Sequence, residues 1–345
     1  MKVLGIESSC DETAAAVVTE DGLVLSDVVA SQVKIHAPFG GVVPEIAARA
    51  HMRAIVPVIE GALAELPGGL DDVDAVAVTQ GPGLIGALLV GLQVGKAIAF
   101  SRGLPIVGVS HLDGHLLAVY LRRSDDDPAP PPMPFVALLA SGGHTAIYEV
   151  RAHDDVELLG QTRDDAAGEA YDKVAKLLGL GYPGGPIVDR LAVKGDPRVL
   201  DLAVPMRGRG LEMSFSGLKT AVAQHVRKNG VPTEEGAIAD VCASFQRVAV
   251  QSLVEKSIAA CEERGVEHLV LTGGVAANRG LRAHAAEACA ANGITLHVPP
   301  FRSCTDNAAM IAYAGAQRLR TGAHDDLHLA PYSRPPGFRR GKIRD

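Results

Sequence analysis

The chain has no tryptophan and only seven phenylalanines and six tyrosines among its 345 residues. So few rings exclude a broad aromatic platform for stacking bases. Ala, Val, Leu and Gly take their place, which suits buried parallel strands and closely packed helices. Positive charge is also scarce. A formal net charge of −7 excludes an all-over basic polyanion binder, although it leaves room for a local patch. The five cysteines, Cys10, Cys242, Cys261, Cys289 and Cys304, are odd in number and form no C-x-x-C pair. That excludes a disulfide framework and reads as reduced, intracellular usage. The longest apolar stretch, 84–100, is broken by Gly91, Gln93, Gly95 and Lys96, so it reads as a buried helix and not a membrane span. No secretory leader is expected, since Met1 runs straight into a strand-like segment followed by acids. The LTGGVAANRG turn, 271–280, lacks both the P-loop spacing and G-x-G-x-x-G.

What is present points to two similar halves. A domain takes about 100–200 residues, so two are the natural expectation. KVLGI, ESSCDET and AAAVV at the start read as strand, polar turn, strand, a β-hairpin. A helix over 42–65, a strand over 74–80, a helix beginning at the GPG turn, a strand over 105–109 and a helix over 110–121 follow. SDDDPAPPPMP, 124–134, is a stiff acidic and Pro-rich connector. The pattern then restarts. FVALLASGGHTAIYEV is again strand, turn, strand. A helix over 165–178, the YPGGP loop, a strand–turn–helix over 268–281, a strand over 294–299 and a helix over 306–320 complete it. The expected division is 1–123 with the helix of about 306–322 completing the first domain, then the 124–134 connector, then 135–305, then a basic tail at 323–345. Two βα halves imply a cleft, with ligands at the strand ends. The tail carries Arg334, Arg339, Arg340, Lys342 and Arg344, either a solvated end or a polyphosphate-contacting arm.

His111 and His115 stand at i and i+4, on one helix face, about 5–6 Å apart at Cβ. Two neutral imidazoles so placed can hold one transition metal, though such pairs on surface helices are also incidental. The motif is not H-E-x-x-H, because no glutamate follows the first histidine to act as general base. Asp113 fits better as the fourth residue of a Ser110-x-x-Asp cap. A third ligand has to come from elsewhere. Asp306 is the best candidate, while Thr305 or Asp306 could equally cap the last helix.

Three glycine turns stand at strand or helix ends: Ser141-Gly142-Gly143, the YPGGP loop at 182–186 and the TGG turn of LTGGVAANRG. Amides there, free of Cβ atoms, suit a phosphate or carboxylate, as does a helix N-terminus. Glu7, Asp11 and Glu12 crowd the first turn. They are either solvated acids or, in a cleft, proton-handling carboxylates with Asp11 and Glu12 as the candidate catalytic pair. Glu169 and Lys173 form an i,i+4 pair, and Asp172, on another face, is free to point into a site.

GIESSCDET, GGVVPEIAARAH, GPGLIGALLVG, VSHLDGH, LLASGGHT, DDAAGEAYDKVAKLLGLGYPGGP, SFSGLKTAV, TGGVAANR and TDNAAMIAYAG occur in order. With them the chain resembles, over nearly its whole length, the bacterial TsaD-type tRNA threonylcarbamoyl-adenosine transferase family, once described as sialoglycoprotein endopeptidases. No motif position departs from the pattern. The resemblance implies an α/β, actin-like (ASKHA) fold of two RNase H-like domains around a central cleft. It implies one divalent metal, iron or zinc, on His111, His115 and Asp306. It implies an adenylate or nucleotide ligand in the cleft and substrate contacts from Leu139, Ala140, Ser141, Gly142, Gly143, Asp172, Gly185, Asp189 and Asn278. The implied reaction moves a threonylcarbamoyl group from threonylcarbamoyl-AMP to adenosine 37 of tRNAs reading codons that begin with A. A TsaB-like actin-fold subunit and a TsaE-like ATPase are the implied partners, in the cytoplasm and away from membranes. A mixed anhydride is already activated, so positioning and charge stabilisation should carry most of the rate. The rival readings are a metalloprotease and a small-molecule kinase of the same fold.

Overall fold

The computed structural model describes residues 1–124 and 127–334. Asp125 and Asp126 of the connector, and 335–345 with Arg339, Arg340, Lys342 and Arg344 of the tail, lie outside the described residues. The first half runs β1 (Lys2–Glu7), β2 (Glu12–Thr19), β3 (Val24–Ser31), α1 (Val33–His36), α2 (Pro44–Ala64), β4 (Ala75–Gly81), α3 (Ile85–Arg102), β5 (Ile106–Ser110) and α4 (His111–Leu117). The second runs β6 (Phe135–Ala140), β7 (Thr145–Ala152), β8 (Asp155–Gln161), α5 (Ala167–Leu177), α6 (Gly184–Ala192), α7 (Ser216–Asn229), α8 (Glu235–Arg264), β9 (His268–Thr272), α9 (Arg279–Ala291), β10 (Thr295–His297), α10 (Phe301–Cys304) and α11 (Ala308–Arg320).

The two sheets have the same winding. The first is ordered β3-β2-β1-β4-β5 and the second β8-β7-β6-β9-β10. In each, three antiparallel strands come first and two parallel strands extend the other edge. The expected hairpins are therefore three-stranded meanders. β3 and β8 escape a sequence reading because they are edge strands with half-exposed polar residues, VLSDVVAS and DVELLGQ, and lack a clean apolar alternation.

Period-2 alternation places the cores. Val3 of β1 and Phe135, Ala137 and Leu139 of β6 face a middle layer that holds α4 and α11. Leu4 and Ile6 face outward onto α2 and α3, while Val136, Leu138 and Ala140 face the helices of the second half. Glycines set the closest approaches in the middle layer. A Cβ on Gly5 would fall on the Ala308 carbonyl, and one on Gly315 on the Ala77 side chain, so α11 lies directly on the first sheet. The apolar α3 is long enough to cross a membrane by composition alone. Its Gly91 and Gly95 seat it against Ile6 and Val78 of the first sheet. α8, thirty residues long, is buried on most sides.

A candidate metal centre in the cleft

The parallel strands of both sheets end at one place. β1 ends at Glu7, β5 at Ser110, β6 at Ala140 and β9 at Thr272, the edge where open α/β sheets take their ligands.

α4 starts immediately after β5. Its Ser110 N-cap oxygen accepts from the Asp113 amide at 3.3 Å, so Ser110 caps the helix as its spacing suggests. Both histidines of this helix are buried, at 5% and 0% exposure, because α4 is wedged between the sheets and is no surface helix. Their rings meet edge to face, 4.7 Å apart. Asp306 comes from just before α11. Its Oδ1 lies 3.0 Å from His115 Nε2 and 3.6 Å from His111 Nε2. Asp306 does not cap α11, and neither does Thr305. Asn307 does, with its side chain accepting from the Met310 amide at 2.9 Å. The Asp306 carboxylate is thus released toward the histidines.

A shell of partners fixes this group. Glu7 Oε2 accepts from His111 Nδ1 at 2.9 Å and from Thr79 Oγ1 at 2.7 Å, while Glu7 Oε1 takes the Ser9 amide. With Glu7 on Nδ1, His111 presents its Nε2 to Asp306. The Thr272 hydroxyl holds the His115 carbonyl at 2.7 Å. Burial opposes charge on His111, yet the Asp306 and Glu7 carboxylates outweigh it and push the imidazole up to about 9. Burial also opposes ionisation of Asp306, and the His111 and His115 rings hold it well below the usual carboxylate range. His144 moves the other way, down to about 4, because it is buried beside those rings.

The ligand atoms of His111, His115 and Asp306 lie within 4.8 Å of one another. Two imidazole nitrogens and a carboxylate oxygen fit a borderline divalent ion. Among the described residues His115 Nδ1 is buried without a hydrogen-bond partner, so protein groups alone do not satisfy this ring. Asp306 keeps 22% side-chain exposure, which opens the group to a substrate.

The turn after β9 lies beside it, since Thr272 holds the His115 carbonyl. Gly142, Gly143, Gly185 and Gly274 have open space where a Cβ would stand. Gly273, at φ +86°, packs its backbone on the Ala140 carbonyl, bringing the β6 and β9 turns together. Leu139 and Ala140 send their side chains into the cores, so only their backbone can meet a ligand. Ser141 donates its amide to the His144 carbonyl at 2.8 Å, and its hydroxyl accepts the His144 amide at 3.1 Å.

Asp172 is less free than its helix face suggests. Its Oδ1 accepts from the Gly184 amide at 2.7 Å, at the start of α6, while also lining a cavity of about 210 Å³ with Lys176 and Tyr182. Burial raises its pKa and those amides oppose the rise. Asp189 accepts from Arg279 Nε at 3.0 Å and from Gln246 Nε2 at 3.2 Å. Asn278 caps α9, accepting from Leu281 N at 2.8 Å, and donates to Gln246 Oε1 at 2.7 Å. Gln246 and Arg279 therefore tie Asp189 to Asn278, a link with no signal in the local sequence because Gln246 sits in the middle of α8. Glu7, Thr79 and His144 beside the histidines were equally unmarked as a set. Asp11 and Glu12 stand in the β1–β2 turn. Burial first, then Asp11 and Asp306, push the Glu12 carboxyl up to about 9, so it stays protonated at neutral pH.

With this geometry in hand, comparisons with known proteins carry weight. Residues 23–313 match the family described as TsaD: tRNA N6-adenosine threonylcarbamoyltransferase. A protein of that name from Sorangium cellulosum (strain So ce56) is 60% identical over 343 residues, covering 97% of this chain and 96% of the relative. One from Anaeromyxobacter dehalogenans (strain 2CP-1 / ATCC BAA-258) is 54% identical over 334 residues, covering 96% of this chain and 98% of the relative. Among solved structures, component A of (R)-2-hydroxyglutaryl-CoA dehydratase from Acidaminococcus fermentans superposes with a TM-score of 0.53 at 16% identity, covering 93% of this chain and 99% of its own. HypF from T. kodakarensis reaches 0.60 at 14% identity, covering 93% of this chain and 48% of its own. At such identities these likenesses establish the fold alone, the actin-like ASKHA architecture of two similarly wound halves.

Proposed function

The chain belongs to the TsaD family of tRNA N6-adenosine threonylcarbamoyltransferases, and from that membership we propose what its cleft does. It transfers the threonylcarbamoyl group of threonylcarbamoyl-AMP to the N6 amine of adenosine 37 in tRNAs reading codons that begin with A. The amine nitrogen bonds to the carbamoyl carbon, the carbon–oxygen bond to phosphate breaks, AMP leaves, and the proton that the amine loses passes to solvent. The observation that carries this reading is the convergence of His111, His115 and Asp306 with the open glycine turns at one cleft edge.

We propose that His111, His115 and Asp306 hold one divalent ion, Fe²⁺ ahead of Zn²⁺, with Glu7 orienting His111. When bound, it supplies Lewis acidity and a template for a substrate phosphate or carboxylate oxygen. The amides of 142–143 and the start of α6 orient the adenylate. Asp172, Gly185, Asp189 and Asn278 line its seat, with Asp189 and Asn278 kept in place through Gln246. Glu12 keeps its proton next to Asp11, so in this turn it can act as a proton donor and not as the base that takes the amine's proton. The relatives are named as transferases, and Glu7, the acid beside His111, is taken up by the His111 ring and Thr79, so a metalloprotease reading is not favoured.

A chain of net charge −7 needs help with a polyanion. We propose that a TsaB-like actin-fold subunit docks on α2 and α3, where Met52, Val56, Ile85 and Leu89 are exposed at 62, 53, 42 and 38%. A TsaE-like ATPase completes the set, and the cytoplasm is the compartment where tRNA and these partners meet.

The test supplies threonylcarbamoyl-AMP labelled in the threonyl group, unmodified tRNA and both partners. Label should enter the tRNA at adenosine 37, and its absence with metal and partners present sinks the reading. Asp306→Ala should lower both bound metal and transfer by at least about tenfold, as losing one of three ligands demands. Full metal occupancy in that variant removes Asp306 from the ligand set.

A further inference from the structure

The turn that carries Asp11 and Glu12 is hung on the outer helices of the first half. Three successive carbonyls of this turn are each held by a different segment. Ser9 O accepts the amide of Leu84, the residue that starts α3, at 2.8 Å. Cys10 O accepts from His51 Nε2, in the middle of α2, at 3.0 Å. Asp11 O accepts the Gln32 amide at 2.9 Å. Ser8 adds a fourth tie, donating to the Ala87 carbonyl of α3 at 2.9 Å.

His51 is the exception among its neighbours. The buried stripe of α2 reads Ala47, His51, Ile55, Val58, Ile59 and Ala62, and a histidine is its one polar member. It has no exposure at all. A buried imidazole is costly unless both nitrogens are satisfied, and here they are. Cys10 O can only accept, so Nε2 carries the proton. Nδ1 then accepts from the Thr13 hydroxyl at 2.7 Å. Burial holds the ring below its ordinary pKa, consistent with this neutral form. A leucine at 51 would pack the stripe with no such demand, so the histidine is there for its two hydrogen bonds. It is also the one side chain among the three carbonyl anchors. Met52 and Val56, on the other side of the same helix, are the exposed apolar residues of the proposed docking face.

We propose that His51 is a positioning residue that rigidly couples α2 to the Asp11–Glu12 turn, so that the partner subunit docked on α2 and α3 sets the place of these carboxyls in the cleft. The inference rests on the transferase and docking readings above.

The experiment compares wild type, His51→Ala and His51→Gln in the full chain with the TsaB-like subunit. Single-turnover transfer is measured over a range of tRNA concentrations. Bound metal and partner affinity are measured in parallel. His51→Ala should lower kcat about ten- to a hundredfold, the scale of a small misplacement near the chemistry. KM for tRNA, metal content and partner affinity should stay within twofold. His51→Gln, whose amide can reach Cys10 O, should recover part of the loss. A second readout needs no transfer. Cys10 is the one partly exposed cysteine, the other four being buried; burial and the carboxyls of Asp11, Asp306 and Glu12 raise its thiol pKa, so its slow alkylation by iodoacetamide is driven at alkaline pH and followed by peptide mapping. Partner addition should change that rate in wild type and leave it unchanged in His51→Ala. Wild-type kcat in His51→Ala, an effect confined to KM, no recovery in His51→Gln, or an intact partner effect on Cys10 overturns the proposal. Should the alanine variant not fold, His51→Gln and Thr13→Val decide by the same alkylation readout. Failure of wild type to transfer label would instead strike the functional reading, while the Cys10 measurement still judges the coupling.

Discussion

At the scale of single residues, charge and burial pull in opposite directions around the cluster of His111, His115 and Asp306, and carboxylates decide the result. Glu7 and Asp306 draw positive charge onto a buried His111 that burial alone would keep neutral. Glu12 is the converse, an acid kept neutral by burial and by Asp11. Its sign in stability follows directly. A carboxyl raised to about 9 in the folded chain binds its proton more tightly there than when unfolded. The folded state then loses stability as pH rises from the ordinary carboxylate range toward about 9. Glu12→Gln cannot ionise and should remove that loss. Its midpoint of thermal unfolding should exceed wild type's at pH 8 by more than at pH 4, while transfer falls. Equal differences at the two pH values would show that Glu12 is not held protonated.

At the scale of elements, local sequence and tertiary contact divide the work in a visible way. The 3.6-residue spacing puts His111 and His115 on one face, and Ser110 caps their helix, as spacing suggests. Local pattern could not tell whether that helix is exposed, because its burial comes from two sheets distant in sequence. Asp306 shows the same limit. Its neighbourhood allowed a cap, and Asn307 takes that role, which frees Asp306 for the histidines. α11 depends on small residues at close approach. Gly5→Ala drives a methyl into the Ala308 carbonyl and should destabilise by roughly 1–3 kcal/mol, as overpacking does. Because α11 begins two residues after Asp306, the same variant should weaken metal binding. Chemical denaturation and a metal titration check both, and unchanged stability would mean that α11 can slide on β1.

At the scale of the whole molecule, two sheets of one winding face each other across α4 and α11, and strand ends from both supply the site. The outer face of α2 and α3 remains apolar and exposed. Met52→Glu with Val56→Glu should abolish binding of the actin-fold subunit and leave metal content and unfolding midpoint unchanged. Retained binding in a pull-down of purified proteins would move the docking face elsewhere. By itself, the sequence determined the α/β class, the repeated βα order, the histidine pair with its cap, the glycine turns and the family. Each rests on local spacing or on strings of neighbouring residues, which a linear reading holds in full. Tertiary structure alone decided that β3 and β8 complete meanders, since edge strands carry little apolar alternation. It alone decided that Asp172 is bound to the start of α6, that Gln246 joins Asp189 to Asn278, and that Glu7 stands behind His111. These contacts join residues far apart in the chain, and no local pattern encodes which side chain will meet which. The scarcity of aromatic rings that excluded a stacking platform is matched by what stands at the strand ends: glycine turns with open space above them and a small, buried, charged cluster.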